Sequence, residues 1–233
     1  MKKYDNDIAN PHFKTKEGDT VLYPFSPPLF KSKVDSSFTL DLIREGRKQQ
    51  NSENAPDFSS SLAGNLKYGK SFLYPREYTD KVEKYLNQYV MRFINGIADH
   101  YDTDYFNKRF FKIYDKDHYT TGTVKLESLW INFQHKHDYN PPHVHSGALS
   151  FVIFCKVPSK IFEVQADSNF QNAGNIVFDY GQDITPLMGT SATYAPEVDD
   201  LFIFPAQLKH FVPSFWVDEE RISVSGNYAL TTI

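Results

Sequence analysis

The sequence predicts a mainly β member of the α+β class: an antiparallel β-sandwich or jelly roll buttressed by N-terminal helices. Three observations predict it. Helical periodicity is confined to the first hundred residues. From about Thr121 onward, apolar and polar residues alternate in short runs separated by turn residues. Twenty Phe and fifteen Tyr enrich the chain in residues that suit a pleated, half-buried surface. Helices first and many strands after is the order of an α+β protein.

The elements follow in order. Residues 1–35 hold short apolar runs cut by Pro24, Pro27 and Pro28 and read as edge strand and loop. Residues 36–45 read as a short amphipathic helix with a serine available for its cap. Residues 46–61 are polar and read as a loop, a connector in preference to a lid. In 78–100, Val82, Tyr85, Leu86, Tyr89, Val90, Phe93, Ile94 and Ile97 share one face at helical spacing. Val124, Leu126, Leu129, Ile131 and Phe133 then mark a strand, interleaved with Trp130, Asn132 and Gln134. Further strands are expected near 147–156, 160–165, 174–180, 200–205 and 221–230. The 233 residues fit one domain, with 1–120 as a support region and 121–233 as a β core.

Composition narrows the function. A formal net charge of −4 and no basic block argue against nucleic acid as the main partner. Met1 to Asp7 lacks the apolar segment of a signal peptide, and no uncharged apolar run approaches the roughly 18 residues of a membrane span. The expected location is the cytoplasm. The single cysteine, Cys155, sits in an apolar run and reads as a buried small hydrophobe.

Chemistry concentrates in Pro141-Pro-His-Val-His-Ser-Gly147, just ahead of the apolar run Leu149–Phe154. On a strand, residues i and i+2 face the same way, so His143 and His145 would present both imidazoles to one side. His210, from a later strand, supplies a third ring. Three ligands from two segments make a facial set with open positions, as in non-haem iron sites, although imidazole also suits zinc, copper and nickel. The usual facial set contains one carboxylate, and here His145 takes that place. Either both His143 and His145 are ligands, or only one of them binds metal and the other orients substrate or a water. Asp138, Asp179 and Asp183 are carboxylates in neighbouring segments without ligand-like spacing. His135 and His137 lie in a charged, turn-like stretch and read as solvated; His12, His100 and His118 stand alone.

Arg221, Ser223, Ser225 and Asn227 alternate with Ile222, Val224 and Gly226, giving one polar strand face. A guanidinium there presents a planar fork that pairs bidentately with a carboxylate, and Ser223 can add a hydrogen bond. The strand is expected beside that of His210, after a turn through Asp218–Glu220. The competing reading pairs Arg221 with Asp218, Glu219 or Glu220 at the surface.

Together these segments resemble the 2-oxoglutarate/Fe(II)-dependent oxygenases, in particular a group encoded by marine bacteriophages and some bacteria. The matching stretches are Trp130–Gln134, Pro141–Gly147, Leu149–Phe154, Leu201–Pro205 with His210, and Arg221–Asn227; Ser61–Asn65 is a weaker match. The resemblance covers roughly residues 60–230. It implies a double-stranded β-helix, Fe(II) on His143 and His210, and Arg221 as the anchor for 2-oxoglutarate. The group's best-known members carry an acid where His145 stands, and a phage origin would make the expected location the host cytoplasm. The implied reaction hydroxylates a substrate and releases succinate and CO2. The substrate could be a protein side chain, a nucleobase or a small metabolite. Two other readings compete. A cupin-type metal enzyme without 2-oxoglutarate would share the His-x-His pair, but would place a glutamate where Ala148 and Leu149 stand and would give Arg221 no task. A non-catalytic metal-binding structural protein would bind no 2-oxoglutarate.

Overall fold

The computed structural model describes residues 12–14, 20–22, 27–64, 66–100, 124–166, 172–181 and 190–230. Two antiparallel sheets face each other. The larger has six strands in the order β3 (Phe30–Lys33), β10 (Asp200–Pro205), β7 (Leu149–Lys156), β12 (Arg221–Leu230), β5 (Val124–Gln134) and β4 (Lys70–Leu73). The smaller has four, in the order β6 (Asn140–His143), β11 (Lys209–Val212), β8 (Ile176–Asp179) and β9 (Ser191–Tyr194). A separate two-stranded ribbon joins β1 (His12–Lys14) to β2 (Thr20–Leu22). This is the expected jelly-roll arrangement.

Alternation along the strands divides the interior into two layers. On β7, Phe151, Ile153 and Cys155 pack toward the helices, while Val152 and Phe154 enter the space between the sheets. On β10, Leu201 and Ile203 take the helix side, and Phe202 and Phe204 the inner side. The helix side is closed by α1 (Ser36–Gln50) and α2 (Arg76–His100). In α1, Phe38 and Leu42 are buried one turn apart. A Cβ at Gly46 would lie 2.3 Å from Ile131 Cδ1, so this glycine lets the helix approach β5 closely. In α2, Val82, Leu86, Tyr89, Val90, Phe93 and Ile94 form the predicted buried face; the side chain of Ile97 lies outside the described residues. Cys155 is buried and free, and burial pushes its thiol up, away from the reactive thiolate form.

Three local expectations change. Helix α1 runs to Gln50, so the polar stretch after Glu45 is partly helical. Residues 160–165 are not a strand but the helix α3 (Lys160–Ala166). Pro158 and Ser159 open it, their carbonyls accepting from the N–H groups of Ile161 and Phe162 at 3.1 Å each. The apolar pair that suggested a strand instead packs in a satellite core with Ala173, Phe215 and Val217. Third, β12 is not beside β11. Hairpin connections are commonly two to five residues long, whereas 213–220 cross from the smaller to the larger sheet, burying Phe215 and Val217 on the way. Among the described residues, no helix is long and apolar enough to cross a membrane.

Candidate metal and anion site

The site lies between the sheets, and each of its side chains is aimed there by a local device. His143 ends β6 and stands opposite His210 of β11 in the strand register. His145 does not lie on the buried strand that follows; it sits in the turn 144–148. That turn reverses at Gly147, whose φ of +100° favours glycine, and where a Cβ would lie 2.7 Å from the Tyr228 carbonyl. The backbone of His145 is pinned on both sides. Its N–H donates to the Ala206 carbonyl at 2.8 Å, and its carbonyl accepts from Gln207 Nε2 at 2.8 Å. The two rings do not share a strand face as alternation predicts: one comes from a strand end and the other from a pinned turn.

The three rings converge. Their ligand nitrogens lie within 4.8 Å of one another, and the centroids of His143 and His210 are 4.3 Å apart. Nδ1 of His143 lies 2.7 Å from the Pro141 carbonyl, and Nδ1 of His210 lies 2.9 Å from that of Leu208. A carbonyl only accepts, so each Nδ1 carries the proton and each Nε2 keeps a lone pair for a metal. Among the described residues, the ring of His145 makes no hydrogen bond; it rests 5.8 Å from the ring of Trp130. Burial lowers all three imidazoles from their ordinary value, His145 to about 4 and His210 to about 3; neighbouring imidazoles add to the effect at His145 and His210, while the bond to Pro141 opposes it at His143. Near neutrality all three are uncharged and able to ligate.

This has a measurable consequence for the metal-free protein. The unfolded chain takes up protons on these histidines near 6.5, whereas the folded chain resists until much lower pH. Between those limits the unfolded state binds more protons. The stability contributed by neutral burial is therefore complete above about pH 6.5 and is lost as pH falls toward the folded values. We expect the melting temperature in EDTA to drop from pH 7 to pH 5, and to drop less in His210→Ala. Equal slopes in the two proteins would show that the His210 ring is solvated.

Arg221 opens β12 opposite Gln134 of β5 and is only 1% exposed. Its Nη1 donates to Gln134 Oε1, and its guanidinium carbon lies 4.9 Å from the Phe154 ring centroid. Its Nε is buried without a hydrogen-bond partner. Burial lowers its pKa to about 10, which leaves it charged at neutral pH. The acids just before it are engaged elsewhere: Asp218 with Lys136, Glu219 with Lys160 at 3.2 Å, and Glu220 with Arg47. The surface ion-pair reading of Arg221 is therefore wrong. Ser223 lines the same cavity, its Oγ 3.4 Å from Asn132 Nδ2, and Asn132 Oδ1 accepts from Ser71 Oγ at 2.7 Å.

Sequence reasoning missed part of the wall. Leu62, Ala63, Gly64 and Leu66 line the cavity, as do Asn140 and Val212. In the sequence, Ser61–Asn65 is only a weak match to the family, and the spacing around Asn140 carries no signal. Of the carboxylates in neighbouring segments, Asp138 and Asp179 do not join the three-histidine group. Asp138 accepts backbone N–H bonds from Tyr68, Gly69 and His135 at 2.8–3.0 Å, Asp179 faces Lys209 at 3.4 Å, and Asp183 lies outside the described residues. His135 is half-buried and His137 exposed at the adjoining turn, away from the three-histidine group.

The residues fit the groups that this chemistry would require. Three neutral nitrogens can hold a divalent ion, and a buried guanidinium with an unpartnered Nε suits an anion beside it. Residues 128–227 match the family model described as "Putative 2OG-Fe(II) oxygenase". No curated protein matches the chain by sequence. In fold the chain is similar to a prolyl-4-hydroxylase from Pseudomonas putida, with a TM-score of 0.54 at 11% identity, covering 89% of this chain and 95% of that one. It is similar as well to the non-heme alpha-ketoglutarate-dependent epimerase SnoN of nogalamycin biosynthesis, with a TM-score of 0.55 at 13% identity, covering 88% and 80%. Over the strands that hold the three histidines and Arg221, the chain is similar to the 2-oxoglutarate/Fe(II)-dependent oxygenases, a class of oxidoreductases.

Proposed function

We propose that this chain is a 2-oxoglutarate- and Fe(II)-dependent dioxygenase that hydroxylates a substrate still to be identified. The observation that carries this reading is the sharing of one cavity by three uncharged imidazoles and a buried arginine that, among the described residues, no acid neutralises. Bound there, Fe(II) and 2-oxoglutarate would supply the oxidising chemistry, in which the keto acid yields succinate and CO2 and a substrate C–H bond is hydroxylated.

The chain's own residues position and shield. His143, His145 and His210 would hold the metal, the first and last with Nε2 fixed by the Nδ1 bonds to Pro141 and Leu208. Arg221 would bind the distal carboxylate of 2-oxoglutarate, helped by Ser223. Gln134 holds one nitrogen of the guanidinium fork, and being a neutral amide it leaves the charge available to a ligand. Trp130, Leu62, Leu66 and Val212 give the cavity apolar walls that limit water. Support region 1–120 and core 121–233 act as one unit in this reading, because α1 and α2 share a core with β5, β7, β10 and β12.

A cupin-type enzyme without 2-oxoglutarate would leave Arg221 without a task. Calorimetry of 2-oxoglutarate against protein loaded with Fe(II) under anaerobic conditions separates the readings. Binding is expected, with slow succinate formation once oxygen is admitted. No heat and no competition from 2-oxoglutarate analogues would sink the oxygenase reading.

A further inference from the structure

Among the described residues, no acidic side chain lines the cavity of the three histidines. Its polar groups are imidazole, guanidinium, carboxamide and hydroxyl. The acids nearest in sequence are committed elsewhere. Asp138 clamps three backbone N–H groups, Asp179 faces Lys209, and Glu220 holds Arg47. Arg221 therefore brings an unneutralised positive charge into a buried wall. A divalent ion on three neutral imidazoles adds two more. Like charges sharing a poorly solvated cavity repel, and a buried charge without a counter-charge is costly.

We propose that this chain takes up its metal and its dianionic co-substrate as one coupled unit, each bound weakly alone, because the described residues of the cavity supply no carboxylate to balance the cation. The inference rests on the oxygenase reading for the identity of the dianion. The deficit of negative charge rests on the cavity lining alone. 2-Oxoglutarate brings two negative charges where the metal and Arg221 bring three positive ones. Its binding relieves both repulsions, so metal affinity rises with 2-oxoglutarate. By linkage, 2-oxoglutarate affinity rises by the same factor with metal. The same carboxylate-free wall makes His145 the position that sets the coupling. An acid there would neutralise part of the metal's charge before any co-substrate arrived.

The test uses the full chain and Mn(II), whose free concentration is read by electron paramagnetic resonance without turnover. The Mn(II) dissociation constant is measured with and without saturating 2-oxoglutarate, in the wild type and in His145→Asp. In the wild type, 2-oxoglutarate should tighten Mn(II) by roughly a hundredfold, near the upper end of ordinary coupling. His145→Asp should bind Mn(II) alone about tenfold more tightly, and its coupling should shrink by a similar factor. His145 sits on a half-exposed turn, and thermal melting checks that the variant is folded. Should it not fold, azide replaces it as the probe: a metal-ligating monoanion should tighten Mn(II) in the wild type without 2-oxoglutarate, relative to perchlorate at equal ionic strength. Mn(II) affinity that ignores bound 2-oxoglutarate, or His145→Asp with wild-type affinity and coupling, overturns the proposal and leaves the oxygenase reading in place. Failure of 2-oxoglutarate to bind the Mn(II)-loaded protein overturns that reading instead. The Mn(II)-only comparison, or azide, then decides the charge deficit by itself.

Discussion

Arg221→Met should abolish measurable 2-oxoglutarate binding while leaving the metal-free protein at least as stable as the wild type. The two halves of this expectation have one cause. Arg221 is a charged group held in a fully buried position, with one fork nitrogen on the neutral Gln134 and its Nε without a partner. Before a ligand arrives, that desolvated charge is a burden. Replacing it with an apolar chain of similar length removes the burden and keeps contact with Phe154. With 2-oxoglutarate bound, the same charge would be its anchor. Hydrogen bonds to charged groups contribute about 1.5–3 kcal/mol each, so losing the fork should cost tenfold in affinity for each bond lost. Arg221→Lys should recover only part, since an ammonium lacks the planar pair of donors. Calorimetry and thermal melting on the same preparations check both halves. A variant that melts well below the wild type yet still binds 2-oxoglutarate would make Arg221 a packing residue.

Much of this wall was legible before any coordinates. Strands β5 and β12 each have one face on the helices and one on the cavity. Burial therefore selects apolar residues at Ile131, Phe133, Ile222 and Val224, and the cavity face keeps Trp130, Asn132, Arg221 and Ser223. A strict alternation survives in sequence because one residue of slippage would exchange core for cavity. What was not legible depends on the chain crossing between sheets. The ten residues between His210 and Arg221 are compatible with a hairpin, and it is the burial of Phe215 and Val217 and the strand order that show them crossing the sandwich. Likewise, Leu62, Ala63, Gly64 and Leu66 reach the cavity because β4 joins the end of the large sheet beside β5, a long-range pairing that no local pattern announces.

His210→Ala should weaken Fe(II) binding by roughly tenfold or more, and His143→Ala should do the same. These two rings oppose each other across β6 and β11, and each is oriented by a carbonyl two residues earlier in the chain. Losing either removes a ligand whose direction was fixed in advance. His210 is also packed against Phe204, with ring centroids 4.7 Å apart, so its alanine variant should melt at a lower temperature as well. His143 is more exposed, and its variant should lose metal with a smaller loss of stability. Anaerobic titration with a chromophoric Fe(II) chelator measures the affinities. Wild-type affinity in His210→Ala would remove that ring from the metal site. Wild-type affinity in His145→Ala alone would leave a two-histidine centre.

Strand β6 carries His143 at the margin of the four-stranded sheet, and two of its four residues are Pro141 and Pro142. A marginal strand ordinarily offers a row of amide donors on which another polypeptide can extend the sheet, and this is how many β proteins begin to aggregate. Proline has no amide hydrogen, so half of that row is absent here. The segment that orients a candidate metal ligand is thus a poor template for a foreign strand. The margin of the sheet next to the histidines can stay uncapped, and accessible to a reactant, without inviting self-association there.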